Sequence, residues 1–168
     1  MPDLFNAHGW RITVESATLP DGRIKEVARV HRADSVHLLA FPTEETVLLL
    51  REYRPYYGHY VWMLPSGRVD KETDIVVAAQ RELQEETGFR AAKLEKYFTT
   101  NHSESLIMSN HVFFARELTK DPLPQDEDEL IEVHELPLEE ALNRVLTCER
   151  VHSVSALALL RYLHDRKS

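Results

Sequence analysis

Apolar and polar residues alternate from Trp10 to Ala17, with Trp10, Ile12 and Val14 on one side and Arg11, Thr13 and Glu15 on the other. That period of two predicts a half-buried strand. Pro20-Asp21-Gly22 is a turn and predicts a hairpin into the run from Arg23 to His31. Val36 to Phe41 and Thr46 to Arg51 are apolar runs suited to two strands joined around Pro42 to Glu45. Arg54 to Tyr60 carries a proline, a glycine and three tyrosines and reads as a loop. Val61 to Leu64 is a short strand that stops at Pro65-Ser66-Gly67. Asp74 to Thr87 is helical and closed by Gly88. Lys93 to Phe98, His111 to Ala115 and Leu130 to Glu135 predict strands, with a polar acidic loop over Lys120 to Glu129. Leu138 to Leu146 and Val151 to His164 predict helices. Many antiparallel-type strands with one helix in the middle and two at the end give an α+β class. No repeat or linker interrupts the pattern, which predicts a single domain over residues 1–168.

The central helix has an unusual distribution of acids. With Ile75 at 0° and about 100° per residue, Ile75, Ala79, Leu83 and Val76 form an apolar stripe between about 0° and 100°. Glu86 falls near 20°, Glu82 near 340° and Glu85 near 280° on the same wheel, beside the stripe rather than opposite it. Carboxylates crowded at a partly buried edge repel one another, and a divalent cation would remove that cost. The run by itself also fits a solvated helix with an Arg81–Glu85 pair.

Charge narrows the choices. The formal net charge is −8, which disfavours a long nucleic-acid footprint. A phosphate-bearing substrate would need metal ions or a few placed arginines to offset that field. The single cysteine, Cys148, rules out an internal disulfide and fits a reducing compartment. Residues 1–21 lack a signal-peptide pattern and no apolar run is long enough to span a bilayer, so the expected location is cytoplasmic. The nine histidines show no zinc spacing. A G-x-S-x-G elbow and a Gly-rich phosphate loop are both absent.

Gly67 and the run Arg81-Glu82-Leu83-Gln84-Glu85-Glu86-Thr87-Gly88-Phe89 resemble the signature of the Nudix hydrolases. That signature runs Gly, five residues, Glu, seven residues, Arg-Glu-apolar-x-Glu-Glu-x-Gly-apolar. Thr73 stands where the family has its first glutamate, between Glu72 and Asp74, and is expected to cap the helix instead. Trp10 to Gly22, Val47 to Arg54, Trp62 to Gly67 and the chain from Leu130 onward resemble the branch that cleaves ADP-ribose and other nucleoside diphosphate sugars. Met63 departs from the glutamate that many of those enzymes carry before Leu-Pro-Ala-Gly.

The resemblance implies an α/β/α sandwich with a mixed sheet and an N-terminal antiparallel region. It also implies a homodimer in which residues 1–33 help to build the partner's pocket. Magnesium, or manganese in its place, would be held by Glu82 and Glu86, with Glu85 sharing an ion and the Ser66 carbonyl as a further ligand. The general base would come from Glu129, then Glu127, then Glu104. Arg54 and Arg51 would contact the diphosphate or sugar. Tyr57 or Trp10 would stack on a base, Trp10 alternatively filling the core. The implied reaction is hydrolysis of a nucleoside diphosphate sugar to a nucleoside monophosphate and a sugar phosphate. Two other readings stand beside it. One is action on nucleoside triphosphates, dinucleoside polyphosphates or capped RNA, and the other is a non-catalytic nucleotide-sugar sensor.

Overall fold

The computed structural model describes residues 3–70, 74–126 and 129–167. The expected cap Thr73 and the base candidate Glu127 lie outside those residues. In chain order the elements are β1 (Phe5–Ala7), β2 (Trp10–Thr18), β3 (Ile24–His31), β4 (Ser35–Ala40), β5 (Thr46–Arg54), β6 (His59–Met63) and β7 (Ser66–Arg68). Then follow α1 (Ile75–Thr87), β8 (Phe89–Asn101), β9 (Leu106–Ile107), β10 (Ser109–Lys120), β11 (Ile131–Pro137), α2 (Leu138–Leu146) and α3 (Ser153–Asp165).

The described residues form three sheets, in the orders β1-β2-β3-β9, β7-β4-β10-β8 and β11-β5-β6. The second is mixed, because β10 runs parallel to β4 and antiparallel to β8. Strand alternation then sorts the core into two layers. Val36, Leu38 and Ala40 of β4, Leu48 of β5 and Phe113 of β10 pack with Ala78, Ala79 and Leu83 of α1. Their neighbours Leu39, Val47, Leu49 and Val112 pack with Leu138, Val145, Val154 and Leu159 of α2 and α3. Helices on both sides of the strands make the expected α/β/α sandwich.

Four expectations change. The turn between β5 and β6 needs only residues 55–58, since β5 runs on to Arg54 and β6 begins at His59. The Arg54 carbonyl accepts from both the Tyr57 and Gly58 amides, each at 2.9 Å. Strands β8 and β10 are far longer than Lys93–Phe98 and His111–Ala115. Their outer parts carry exposed polar residues, so hydrophobic alternation marks only the buried middle. Ser66–Arg68, read as a stop, pairs with β4 through Ser66↔His37 and Val36↔Gly67. The cap of α1 is Asp74, whose side chain accepts from the Val76 amide at 2.7 Å.

The apolar stripe of α1 also shifts. Val76 is 43 % exposed, and Ala78 takes its place among the fully buried residues. Gly88 ends the helix in the left-handed region (φ 73°), with its N–H on the Gln84 carbonyl. Leu83→Ala is expected to cost about 3 kcal/mol in urea melts, and Val76→Ala within about 0.5 kcal/mol. Equal costs would place the stripe where the wheel first put it.

Candidate active site

Helix α1 carries Glu82 and Glu86 on the edge that turns from the core toward a cavity of about 400 Å³. Both carboxylates are nearly closed to solvent, although Glu86 lies one turn beyond Glu82 on the same side. The Ser66 amide donates to Glu86 Oε2 at 2.7 Å. Glu82 lies against Gly67: a Cβ on that glycine would stand 1.8 Å from Glu82 Cδ. The short strand β7 therefore has two local jobs. Its amide anchors one carboxylate, and its missing side chain gives the other a place to lie.

Burial is the first cause of an unusual acidity here. It drives the Glu82 carboxyl up to about 7 against the pull of Arg81, with Glu85 and Glu129 adding to the rise. Burial also pushes Glu86 well above its ordinary value, partly offset by the Ser66 N–H and reinforced by Glu82, Glu129 and Glu52. Arg81 reaches both Glu82, at 2.8 Å, and Glu85. Among the described residues, no three His, Cys, Asp or Glu side chains form a ready metal cage. The contacts supply the reason, since Arg81 draws Glu82 and Glu85 while the Ser66 amide holds Glu86. The donor set still fits a hard divalent cation: the donors are oxygens, and their crowded charge lacks a full counter-charge.

Strand β5 supplies the facing wall. Its period of two puts Glu52 and Arg54 on one side and Arg51 on the other. Glu52 is 5 % exposed, raised by burial, and holds Arg54 through a 2.7 Å ion pair. Arg54 also lies 3.2 Å from the Met63 sulfur. Arg32, Arg54, Arg68 and Arg81 all line the cavity, a local basic set in an acidic chain. Arg32 is held below its usual value by burial and then by the charge of Arg68. Neither Glu52 nor Arg32 was singled out from sequence. Continuing the β5 alternation past Leu48 and Leu50 finds Glu52 on the buried face; Arg32 follows a strand end and has no such signal.

The other candidates divide. Glu129 lines the cavity, and its charge acts on Glu52, Glu82 and Glu86. Ser66 lines it too. Tyr57 lines a second cavity of about 860 Å³ that shares Arg32, Arg54, Met63, His102 and His152 with the first. Others fall outside this chain's cavity lining. Arg51 faces α2, forked on Glu132 at 2.9 Å with both oxygens and stacked 3.8 Å over Tyr60, away from the cavity. Glu104 is exposed and does not line the cavity, whereas its neighbour His102 does. Trp10 is 37 % exposed and so is not a core residue; it does not line the cavity and instead lies 4.3 Å beneath the Arg32 guanidinium. Glu85 stays on its ion pair with Arg81, outside the cavity lining.

The sequence model of the NUDIX domain matches residues 31–157. The ADP-ribose pyrophosphatase of Bacillus subtilis (strain 168) is 32 % identical over 171 residues, which span 98 % of this chain and 90 % of that protein. The GDP-mannose pyrophosphatase of Yersinia pestis (strain Pestoides F) is 30 % identical over 170 residues, spanning 94 % of this chain and 84 % of that protein. A solved structure described as an ADP compounds hydrolase superposes with a TM-score of 0.78 at 21 % identity. It matches 99 % of this chain and 92 % of its own, a likeness of fold.

Gly67→Ala is expected to fold normally but to lose divalent-metal affinity about tenfold in calorimetry, because its methyl group displaces the flexible end of Glu82. Unchanged affinity would mean that Glu82 does not lie on Gly67 when metal binds. The raised acids also predict a pH dependence. Without metal, the folded state keeps protons on Glu82 and Glu86 that the unfolded chain releases near 4.5. The stabilisation is full below that value and is lost as pH rises through about 7. Thermal melts in chelator from pH 5 to 7.5 should show this slope, reduced in Glu82→Gln and suppressed by magnesium. An equal slope in the variant would count against a buried, protonated Glu82.

Proposed function

The chain belongs to the NUDIX domain family, and from that premise we propose that it hydrolyses the diphosphate linkage of nucleoside diphosphate sugars, ADP-ribose and GDP-mannose being the compounds to try first. The activity class is pyrophosphohydrolase. The observation that carries the reading is the buried pair Glu82 and Glu86, crowded, cavity-facing and pushed by burial to hold their protons above the usual carboxylate range. Such a pair is costly unless a cation joins it.

Magnesium is the proposed ion, with manganese as a substitute, and Glu82, Glu86 and the Ser66 carbonyl are its proposed ligands. When bound, such an ion polarises phosphoryl oxygens and makes an attacking water more acidic. Glu129 is the proposed acceptor of that water's proton, a reading supported by its place on the cavity lining and by the reach of its charge to the other acids. Arg54, held by Glu52, offers a planar donor set to the diphosphate, and Arg32 and Arg68 add positive charge along the same cavity. Tyr57 and the second cavity are assigned to the nucleoside.

Residues 1–168 are read as one domain that works as a homodimer. The β1-β2-β3 region leaves Leu4, Phe5 and Ile24 exposed, which supports contact through residues 1–33. Among the described residues no helix is long and apolar enough to cross a membrane. A cytoplasmic location agrees with the lone Cys148, which is free.

Phosphomonoester release should be measured on ADP-ribose, GDP-mannose and nucleoside triphosphates under a magnesium titration. Glu82→Gln and Glu86→Gln are each expected to lose more than about a hundredfold in kcat/KM. Glu129→Gln should lose about a hundredfold or more in kcat. Arg54→Ala should lose roughly tenfold to a hundredfold, with Arg51→Ala near wild type. Full activity in both Glu82→Gln and Glu86→Gln would defeat the metal assignment. A preference for triphosphates would move the substrate class.

A further inference from the structure

Away from the acids, the cavity has a wall without charge. Ser35 and His37 come from β4, Asn110 from β10, and His152 from the start of α3. Their hydrogen bonds have a definite direction. Asn110 Nδ2 donates to the Thr100 carbonyl at 3.3 Å, which turns its Oδ1 toward Ser35. The Ser35 hydroxyl donates to that Oδ1 at 2.8 Å. Ser35 Oγ is then an acceptor, 2.9 Å from His37 Nε2. His37 must therefore carry its proton on Nε2, and its Nδ1 is left as an acceptor. That atom is buried with no hydrogen-bond partner, on a side chain only 4 % exposed.

A second relay ends in the complementary group. The Leu64 amide donates to Ser155 Oγ at 2.9 Å, so the Ser155 hydroxyl is free to donate to His152 Nδ1 at 2.7 Å. His152 then carries its proton on Nε2. The two rings lie 5.6 Å apart, centre to centre. Burial holds His37 down to about 3 and His152 down to about 4, so both stay neutral at physiological pH. An acceptor on one ring and a donor on the other, both rings lining one cavity, match a group that both gives and takes a hydrogen bond; because His37 Nδ1 has almost no accessible surface, the rings must part to admit it. A phosphate oxygen without a proton cannot satisfy His37 Nδ1, whereas a hydroxyl can.

We propose that Ser35, His37, Asn110 and His152 form a subsite for a sugar hydroxyl of the substrate, donated to His37 Nδ1 and accepting from His152 Nε2. The proposal rests on the nucleoside diphosphate sugar reading. Two sugars flank the diphosphate. Ser35, His37 and Asn110 line only the cavity that holds the acids, while Tyr57 lines only its neighbour. With the nucleoside beside Tyr57, the wall faces the terminal sugar.

The test compares kcat/KM for ADP-ribose, for the methyl ester of ADP, which lacks the terminal sugar, and for the 2′,3′-dideoxyadenosine form of ADP-ribose. The methyl ester should be roughly tenfold to a hundredfold poorer, and the dideoxy compound close to ADP-ribose. His37→Gln and Ser35→Ala should lower kcat/KM for ADP-ribose, mainly through KM, and leave the methyl ester unchanged. Loss on the dideoxy compound alone, with the methyl ester unaffected, would overturn the placement and put the hydroxyl on the nucleoside. Equal rates on all three would overturn the subsite while leaving the pyrophosphohydrolase reading intact. No turnover of any of them would refute that underlying reading, and the subsite with it.

Histidine-selective ¹⁵N spectra supply a readout independent of turnover and of variant folding. The His37 Nδ1 signal, assigned with His37→Gln, should move on adding the α,β-methylene analogue of ADP-ribose and not on adding AMP or inorganic diphosphate. A signal identical with and without the analogue would mean that the wall holds only water.

Discussion

Two carboxylates on successive turns of one helix cannot be buried side by side without something else carrying their charge. That constraint organises the acidic end of this molecule. Ile75, Ala78, Ala79 and Leu83 fix the helix face against the sheet, and the helical period then brings Glu82 and Glu86 to the same edge. From there the surroundings are determined. A residue without a side chain must meet Glu82, a backbone donor must meet Glu86, and both requirements fall on the three-residue strand Ser66–Arg68. Arg81 offers a counter-charge from within the helix, but it divides between Glu82 and Glu85. The deficit shows as carboxyls that hold their protons above the usual range, which is the condition a divalent cation relieves.

The same economy extends across the cavity. Glu52 adds another carboxylate near the first two, which raises the deficit, but it is fixed to Arg54. The effect is to keep an arginine in the cavity of a chain whose net charge is −8. Beyond the charged region the lining changes to serine, asparagine and neutral histidines, groups that read shape and hydroxyl direction without attracting anions. Charge at one end and neutral donors and acceptors at the other would hold an anionic linkage in one orientation, which is what a selective cut at a diphosphate requires.

Much of this was legible in the sequence for stated reasons. Helix α1 was visible because its periodic apolar residues and terminal glycine mark the same segment, although the cap was expected at Thr73 and is Asp74. Strand β5 was visible in its apolar half and was lost at Glu52 to Arg54, where the buried side becomes charged. That loss also explains Arg51: a strand taken to end there gives no register, and only one more turn of the alternation separates it from the cavity side. The outer parts of β8 and β10 mix polar residues with a few apolar ones, among them Phe89, Ala91 and Leu118, too sparsely to mark a strand, and their pairing is set by backbone hydrogen bonds, to which side-chain patterning is blind. The neutral wall was out of reach because Ser35, His37, Asn110 and His152 are brought together only by the parallel pairing of β4 with β10 and the seating of α3.

Met63 shows how one substitution can be absorbed locally. Relatives that cleave ADP-ribose often carry a glutamate at this place, on the strand that pairs with β5. Here the side chain is a thioether 3.2 Å from Arg54, and the carboxylate partner of Arg54 is Glu52 instead. A glutamate at both places would put two buried carboxylates on one guanidinium beside Glu86, whose ionisation Glu52 already opposes. Glu52 keeps Arg54 paired, and the Met63 thioether adds no charge that a metal must balance. Met63 is therefore consistent with a working cavity on electrostatic grounds. What it changes is the shape and polarity of the lining beside Arg54, where both cavities meet, and that is where a difference in preferred nucleotide sugar would arise.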